Sequence, residues 1–236
     1  ALKSFKGVPS ETLIQNTENA FKLLLKVVKC GDNINIYTEK SLSSSKIVKV
    51  NEKKVTAKTL LLTLPCIALS FGIENIIIQS SGQRRGFLDW GSFHVEPTHL
   101  ANFKNYTKSL KQRNSLLKKA DTTNIDYWTS EVIKHGALVH KQRSEYFVDL
   151  NKEFVSYANK LTNFDKSVYN DIKNTKITYD QGWNKALELN EALAQSLVKD
   201  MAVKHTSVGP HRADLLFNVG GIDLKNISSM STQIII

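Results

Sequence analysis

The sequence predicts a mixed α+β fold: an antiparallel β meander, then a helical αα-hairpin, then a return to mixed structure. Three observations carry this. Apolar and polar residues alternate between Ala20 and Val50, around a Cys30-Gly31-Asp32-Asn33 turn signal. After about residue 84 the apolar spacing changes to threes and fours, the period of a helix. In the last third a helical stretch gives way to Gly209-Pro210, an apolar run and a Gly220-Gly221 pair.

The meander is expected from AFKLLLKVV, NINIYTE, SLSSS and KIVKV in turn. Val55 to Leu64 reads as a short helix stopped by Pro65, because the residue before a proline is steered out of the helical region. CIALSF follows as a buried strand. QRRGFLDWGSFHVEP, Gln83 to Pro97, reads as a helix whose apolar residues pack and whose charges lie on one side. Leu100, Phe103, Thr107, Leu110, Asn114 and Leu117 make a heptad seam. The polar link ADTTN interrupts it. Trp128, Val132, Val139, Tyr146, Leu150, Phe154, Tyr157 and Leu161 then share a stripe, with Gly136 and Arg143 in the intervening turns. Two helices with a short polar link make an antiparallel αα-hairpin. SVYNDIKNTKITYDQGW shows weak strand alternation, and KALELNEALAQSLVKDMAV is helical. GPHR then turns into the strand ADLLFNV, and Gly220-Gly221 closes a hairpin.

Composition narrows the function. With 41% hydrophobic residues among 236, the chain can bury a core. It carries 32 Lys+Arg against 22 Asp+Glu, a net charge of +10. The excess sits in two blocks: residues 1–60 are net +6 and residues 97–160 net +5. Such a balance suits a phosphate-bearing partner, nucleic acid or membrane surface; it also suits plain solvation of a lysine-rich surface. LLLTLPCIALSFGI is too short, and too broken by Pro65, to span a bilayer, so no membrane is expected. Cys30 and Cys66 stand apart from any CxxC, which predicts a reducing, cytoplasmic setting and no structural zinc. The opening ALKSFKGVPSETLI has no secretory signal pattern.

Several polar clusters could carry chemistry. Arg85 and Asp89 are four apart on a helix, close enough to pair. One arginine of Arg84 and Arg85 could then be held by Asp89 while the other meets a phosphate, which suits the planar guanidinium fork. His94 and Glu96 form HxE, but no PCxxC follows. His205, His211 and Asp214 could ligate a metal, although no regular element brings them together. The alternative is a rigid Gly209-Pro210 turn presenting His211 and Arg212 side by side to an anion. GxxxxGK[ST], GxSxG, HExxH and GxGxxG are all absent, so the residues alone show no complete catalytic site.

RRGFLDWGSFHVEP, then NYTKSLKQRNSLLKK, then TSVGPHRADLLF, in this order and at these separations, resemble the RecF family of bacterial DNA replication and repair proteins. The resemblance runs over essentially the whole chain. It implies a partial ABC-type ATPase head, akin to SMC heads, with an inserted helical arm. Residues 1–83 would be part of the N-terminal lobe of the head, 84–164 the arm, and 165–236 the return to the head. It further implies binding of ATP with Mg2+ in a complete member and binding of single-stranded and gapped double-stranded DNA. Action with RecO and RecR to load RecA, a place in the SOS response and an ATP-dependent homodimer are implied likewise.

Departures from the family pattern qualify this. The family's P-loop is expected before residue 1 and its Walker B acids after residue 236. Where its LSRGQ signature belongs, the register gives Ser228, Ser229 and Met230. GPHRDD has become GPHR-Ala213-Asp214. These 236 residues alone are therefore expected to bind no ATP or Mg2+ and to hydrolyse no ATP. The other readings are a non-catalytic nucleic-acid-binding or interaction module, and a gene remnant without function. For DNA phosphate the reading selects Arg84, Arg85, Lys111, Arg113, Lys118, Lys119, His211 and Arg212. It assigns Phe87, Leu88, Asp89, Trp90 and Phe93 to the junction of head and arm, and no residue to a metal.

Overall fold

Cys30 and Gly31 have φ of 52° and 89°, the left-handed pair that lets a two-residue turn follow the twist of its strands. They join β1 (Ala20–Lys29) to β2 (Asp32–Ser41), with Lys29 opposite Asp32 and Ala20 opposite Ser41. β3 (Ile47–Val50) and β4 (Lys53–Lys54) complete an antiparallel sheet in the order β1-β2-β3-β4. This is the expected meander. The structure, a computed structural model, describes residues 8–65, 76–160 and 166–226. The strand expected at CIALSF and the signature residues Ser228, Ser229 and Met230 lie outside the described residues.

The chain divides into two compact units, Ala1–Leu69 and Ser70–Ile236. In the first, β2 alternates as a half-buried strand should, with Ile36, Thr38 and Lys40 turned inward. Ile36 and Val48 meet Leu60 of α1 (Ala57–Thr63). Thr56 caps that helix, its hydroxyl accepting from the Thr59 N–H at 3.2 Å.

The second unit is built around helices. α2 (Ser81–Val95) opens on a capping box: Ser80 N–H donates to Gln83 Oε1 at 3.1 Å and Gln83 N–H to Ser80 Oγ at 3.4 Å. α3 (His99–Lys119) and α4 (Ile125–Ala158) form the expected antiparallel hairpin. Ala120 takes φ of 53° and ends α3, with Asp121 N–H reaching the Leu116 carbonyl at 3.1 Å. α5 (Lys166–Asn174) occupies part of the stretch read as a strand; only β5 (Thr175–Asp180) is extended. α6 (Leu189–Val203) starts on a Glu188/Glu191 capping box. β6 (Asp214–Val219) pairs with β5, Asp180 opposite Asp214, and with β7 (Ile222–Asp223) across the Gly220-Gly221 turn.

Two apolar clusters lie along successive stretches of α4. Leu88 of α2 packs with Ile177 and Tyr179 of β5 and Leu215 and Phe217 of β6, joined by Tyr146, Phe147 and Phe154 of α4. Val132 and Val139 of α4 pack with Tyr106 of α3 and Leu189, Ala192 and Leu193 of α6. The hairpin is thus held along its length by both the sheet and α6.

The heptad seam is shifted from the expected register. Phe103, Leu110 and Leu117 face inward, but Thr107 is exposed, and the fully buried positions of α3 are His99, Tyr106, Ser109, Arg113 and Leu117. On α4, Val132, Gly136, Val139 and Arg143 lie on the buried stripe as read, while Tyr157 is exposed and Leu161 lies outside the described residues. The shift in α3 has a physical cause: polar side chains that find internal partners, here His99, Ser109 and Arg113, are buried as readily as apolar ones.

Candidate nucleic-acid interface

The GPHR segment is a short 3-10 turn, Pro210–Arg212, pressed against the backbone after β5. Gly209 N–H donates to the Gly182 carbonyl at 3.2 Å. Gly182 has φ of 93°, and a Cβ there would lie 2.4 Å from the Gly209 oxygen. Only glycine allows this approach.

Three arginines grip the turn. Arg84 of α2 donates from Nε and Nη2 to the two Asp214 oxygens at 2.7 and 2.6 Å, and from Nη1 to the Ile77 and Gln79 carbonyls. Arg85 donates to the Ala213 carbonyl at 2.8 Å. Arg143 of α4 donates to the Pro210 carbonyl at 2.7 Å and, bidentate, to Asp89 of α2 at 2.8 Å through both Nε and Nη2. His99 Nε2 also meets Asp89, at 2.9 Å, and Gln142 bonds His99 Nδ1 at 2.9 Å. Burial pushes the Asp89 carboxyl up; the bonds from His99 and Arg143 outweigh it and hold Asp89 below the ordinary range. Asp214 raises the Arg84 guanidinium, whereas burial, with Arg143 nearby, lowers that of Arg85.

A second network lies deeper in the hairpin. Arg113 is fully buried and donates to Asp200 at 2.8 Å, Thr206 at 2.6 Å and Thr129 at 3.0 Å. Asp200 also accepts from the Ser207 N–H and hydroxyl at 2.9 and 2.6 Å. His211 links the two networks, with Nδ1 at 2.7 Å from the Tyr106 hydroxyl and Nε2 at 3.0 Å from the Thr206 carbonyl. A carbonyl only accepts, so Nε2 carries the proton and the Tyr106 hydroxyl donates to Nδ1. Burial pushes the His211 imidazole down to about 4, so it is neutral at pH 7.

The residues selected for phosphate therefore separate into two groups. Arg84, Arg85, Arg113 and His211 are bonded within the protein: Arg84, Arg85 and His211 are half-buried, and Arg113 is fully buried, which departs from the expectation that it is an exposed contact for DNA. Arg113 has no exposed surface at all, and His211 carries no charge to offer an anion. The expected Arg85–Asp89 pair is also replaced, since Asp89 is held by Arg143 and His99. Lys111, Lys118, Lys119 and Arg212 are exposed, and none of the four has an ion-pair partner among the described residues. Of the residues expected at a junction of head and arm, Leu88 and Phe93 are buried and Phe87 half-buried, while Trp90 meets His94 edge-on at 4.5 Å.

Sequence reasoning misses Arg143, His99, Gln142, Asp200 and Thr206 as members of the networks. For Arg143 a signal is present: an arginine on an otherwise apolar stripe must find an internal acceptor. For Asp200 and Thr206 there is none, because their partner is 87 and 93 residues away. Among the described residues, no group of three His, Cys, Asp or Glu is placed to hold a metal, and no helix is long and apolar enough to cross a membrane.

No family model matches the chain. Individual proteins do. It is 28% identical, over 96% of its length, to the DNA replication and repair protein RecF of Shewanella pealeana, and equally to that of Shewanella piezotolerans. It spans about three fifths, 61%, of the length of these relatives. Among solved structures it resembles the recombination mediator protein RecF with ATP, at a TM-score of 0.77 and 23% identity over 98% of this chain and 64% of that one. A second RecF structure gives a TM-score of 0.76. In sequence and in fold this is a RecF-like chain, partial relative to the full-length proteins it matches.

Proposed function

We propose that the chain is the portion of a RecF-type replication and repair protein that carries the helical hairpin, and that it binds single-stranded and gapped double-stranded DNA. The observation that carries this is the similarity to RecF proteins over 96% of the chain. The arrangement of charge supports it: the internal networks consume Arg84, Arg85, Arg113 and Arg143, leaving Lys111, Lys118, Lys119 and Arg212 to the solvent. Cations without internal partners are the ones that can neutralise phosphates.

In this reading the longer protein acts with RecO and RecR in the cytoplasm to place RecA at gaps during the SOS response, and dimerises when it holds ATP and Mg2+. A neighbouring structure is a RecF–ATP complex described in the RecFOR pathway, which supports that setting. The 236 residues contain no GxxxxGK[ST] motif, so DNA binding by this chain is proposed to be independent of ATP and to involve no ATP hydrolysis.

Fluorescence anisotropy of labelled gapped DNA over a salt series, with and without ATP, tests this. The expected result is binding that weakens steeply with salt, by a log–log slope of roughly −0.7 to −0.9 per phosphate neutralised, and ignores ATP. Absence of binding at low salt would overturn the reading. Tightening by ATP would show that these residues hold nucleotide in a way the sequence does not reveal.

A further inference from the structure

A polar pocket of about 180 Å³ opens between α3 and α4. Asn105 and Lys108 line it from α3; Tyr127, Trp128, Glu131 and His135 line it from α4. The spacings of three and four put each set on one face of its helix. Drug-sized ligands occupy pockets of roughly 300–1,000 Å³, so this one suits a single planar ring.

Three features point to an occupant. Tyr127 lines the pocket while 59% exposed, so its ring is open to a ligand, and it meets Trp128 edge-on at 5.1 Å, which holds it in place. His135 Nε2 lies 3.4 Å from Glu131, so an imidazole and a carboxylate stand together in the pocket wall. Between them they can accept from and donate to the edge of a base. Lys108 is exposed at the rim and has no ion pair among the described residues.

We propose that this pocket takes one unstacked base of single-stranded DNA, stacked on the Tyr127 ring, with its edge toward His135 and Glu131 and a flanking phosphate on Lys108. Every base has a π-face, so an aromatic platform beside a cation holds a single strand without reading its sequence. Glu131 inside the pocket repels a phosphate, so the base enters and the backbone stays at the rim. The inference rests on the proposed DNA binding and adds a site and a strand preference to it.

The test uses the full chain and three labelled probes: a thymidine strand, the same strand with abasic sites in place of the bases, and a duplex. Tyr127→Ala is expected to weaken the thymidine strand on the order of ten-fold while leaving the abasic strand and the duplex unchanged. Tyr127→Phe is expected to bind as the unaltered chain does. If Tyr127→Ala leaves the thymidine strand unchanged, or weakens all three probes equally, the pocket is not a base site and the inference falls while DNA binding stands. If the unaltered chain binds none of the probes, the proposed function falls and takes the site with it. Tighter binding of a uridine strand of RNA, with the same dependence on Tyr127, would overturn the assignment to DNA.

Discussion

Arg143 and Asp89 are joined by two parallel hydrogen bonds of 2.8 Å, although 54 residues separate them. The pair ties α4 to α2, and Arg143 passes the tie on to the Pro210 carbonyl of the GPHR turn. The Arg143 side chain is 2% exposed and that of Asp89 19%, so this pair operates largely away from water. Removing one partner of such a pair strands the other's charge, which costs about 3–5 kcal/mol. Asp89→Ala is therefore expected to destabilise the second unit by that amount in urea denaturation. Tryptophan fluorescence reads it, because Trp90, Trp128 and Trp183 all lie in this unit. Arg143→Met, which removes the charge and leaves Asp89 its bond to His99, is expected to cost less. Equal costs would show that the guanidinium is not stranded by loss of Asp89.

Acid acts on the same region through His211. Its folded pKa, about 4, lies below the ordinary value of 6.5. Between these values the unfolded chain binds a proton that the folded chain does not, so stability falls as the pH drops through this window. The loss reaches at most about 3 kcal/mol, the equivalent of the shift. Asp89, also depressed, adds its loss at lower pH, as its carboxylate is protonated. His211→Gln keeps a donor and an acceptor but cannot titrate. Urea midpoints for this variant are expected to decline less from pH 6.5 to 4 than those of the unaltered chain, the remaining decline coming from His140, whose imidazole burial also pushes down. Parallel declines would exclude His211 as the source.

The elements are legible where local rules decide them. The Cys30-Gly31 and Gly220-Gly221 turns, the stop before Pro65 and the polar link between α3 and α4 each announce themselves within a few residues. The site is legible only in part. GPHR reads as a rigid turn, but nothing local shows that its histidine points inward. That direction is set by Tyr106, 105 residues earlier, and by the Thr206 carbonyl. Arg113 in LKQRN reads as a cation for DNA, since nothing near it in sequence shows the Asp200 carboxylate that buries it. The helix over the start of SVYNDIKNTK is missed for a different reason: short segments of mixed polarity fit both periods.

Gly182 tests how closely the GPHR turn must approach. A Cβ there would lie 2.4 Å from the Gly209 oxygen and 2.6 Å from the Ala213 nitrogen, both backbone atoms that cannot swing aside. Its φ of 93° is itself strained for any residue with a side chain. Gly182→Ala is expected to cost several kcal/mol, about 1–3 from the backbone conformation and more from the displaced turn. Gly86 is the control: it is exposed on α2 and nothing lies within 4 Å of its Cβ position. Gly86→Ala is expected to be neutral or stabilising by up to about 1 kcal/mol, the helix preference for alanine. If both substitutions behave alike in urea denaturation, the close approach at Gly182 has no energetic weight.

The division of the basic residues into buried and exposed groups makes the sharpest contrast. Arg212, Lys118 and Lys119 face the solvent, and their removal unpairs nothing inside the protein. Arg212→Ala, or Lys118→Ala with Lys119→Ala, is expected to leave the urea midpoint within experimental error. If these residues meet phosphates, each phosphate left without its cation lowers the log–log salt slope of DNA binding by roughly 0.7–0.9 and weakens binding equally across sequences. Arg113→Lys is the opposite case. Lysine keeps the charge but cannot reproduce the bonds of the planar guanidinium to Asp200, Thr206 and Thr129. It is expected to lower the urea midpoint and leave the salt slope of the folded protein unchanged. A change of slope for Arg113→Lys, with stability intact, would place that side chain at the DNA and overturn the separation of the two groups.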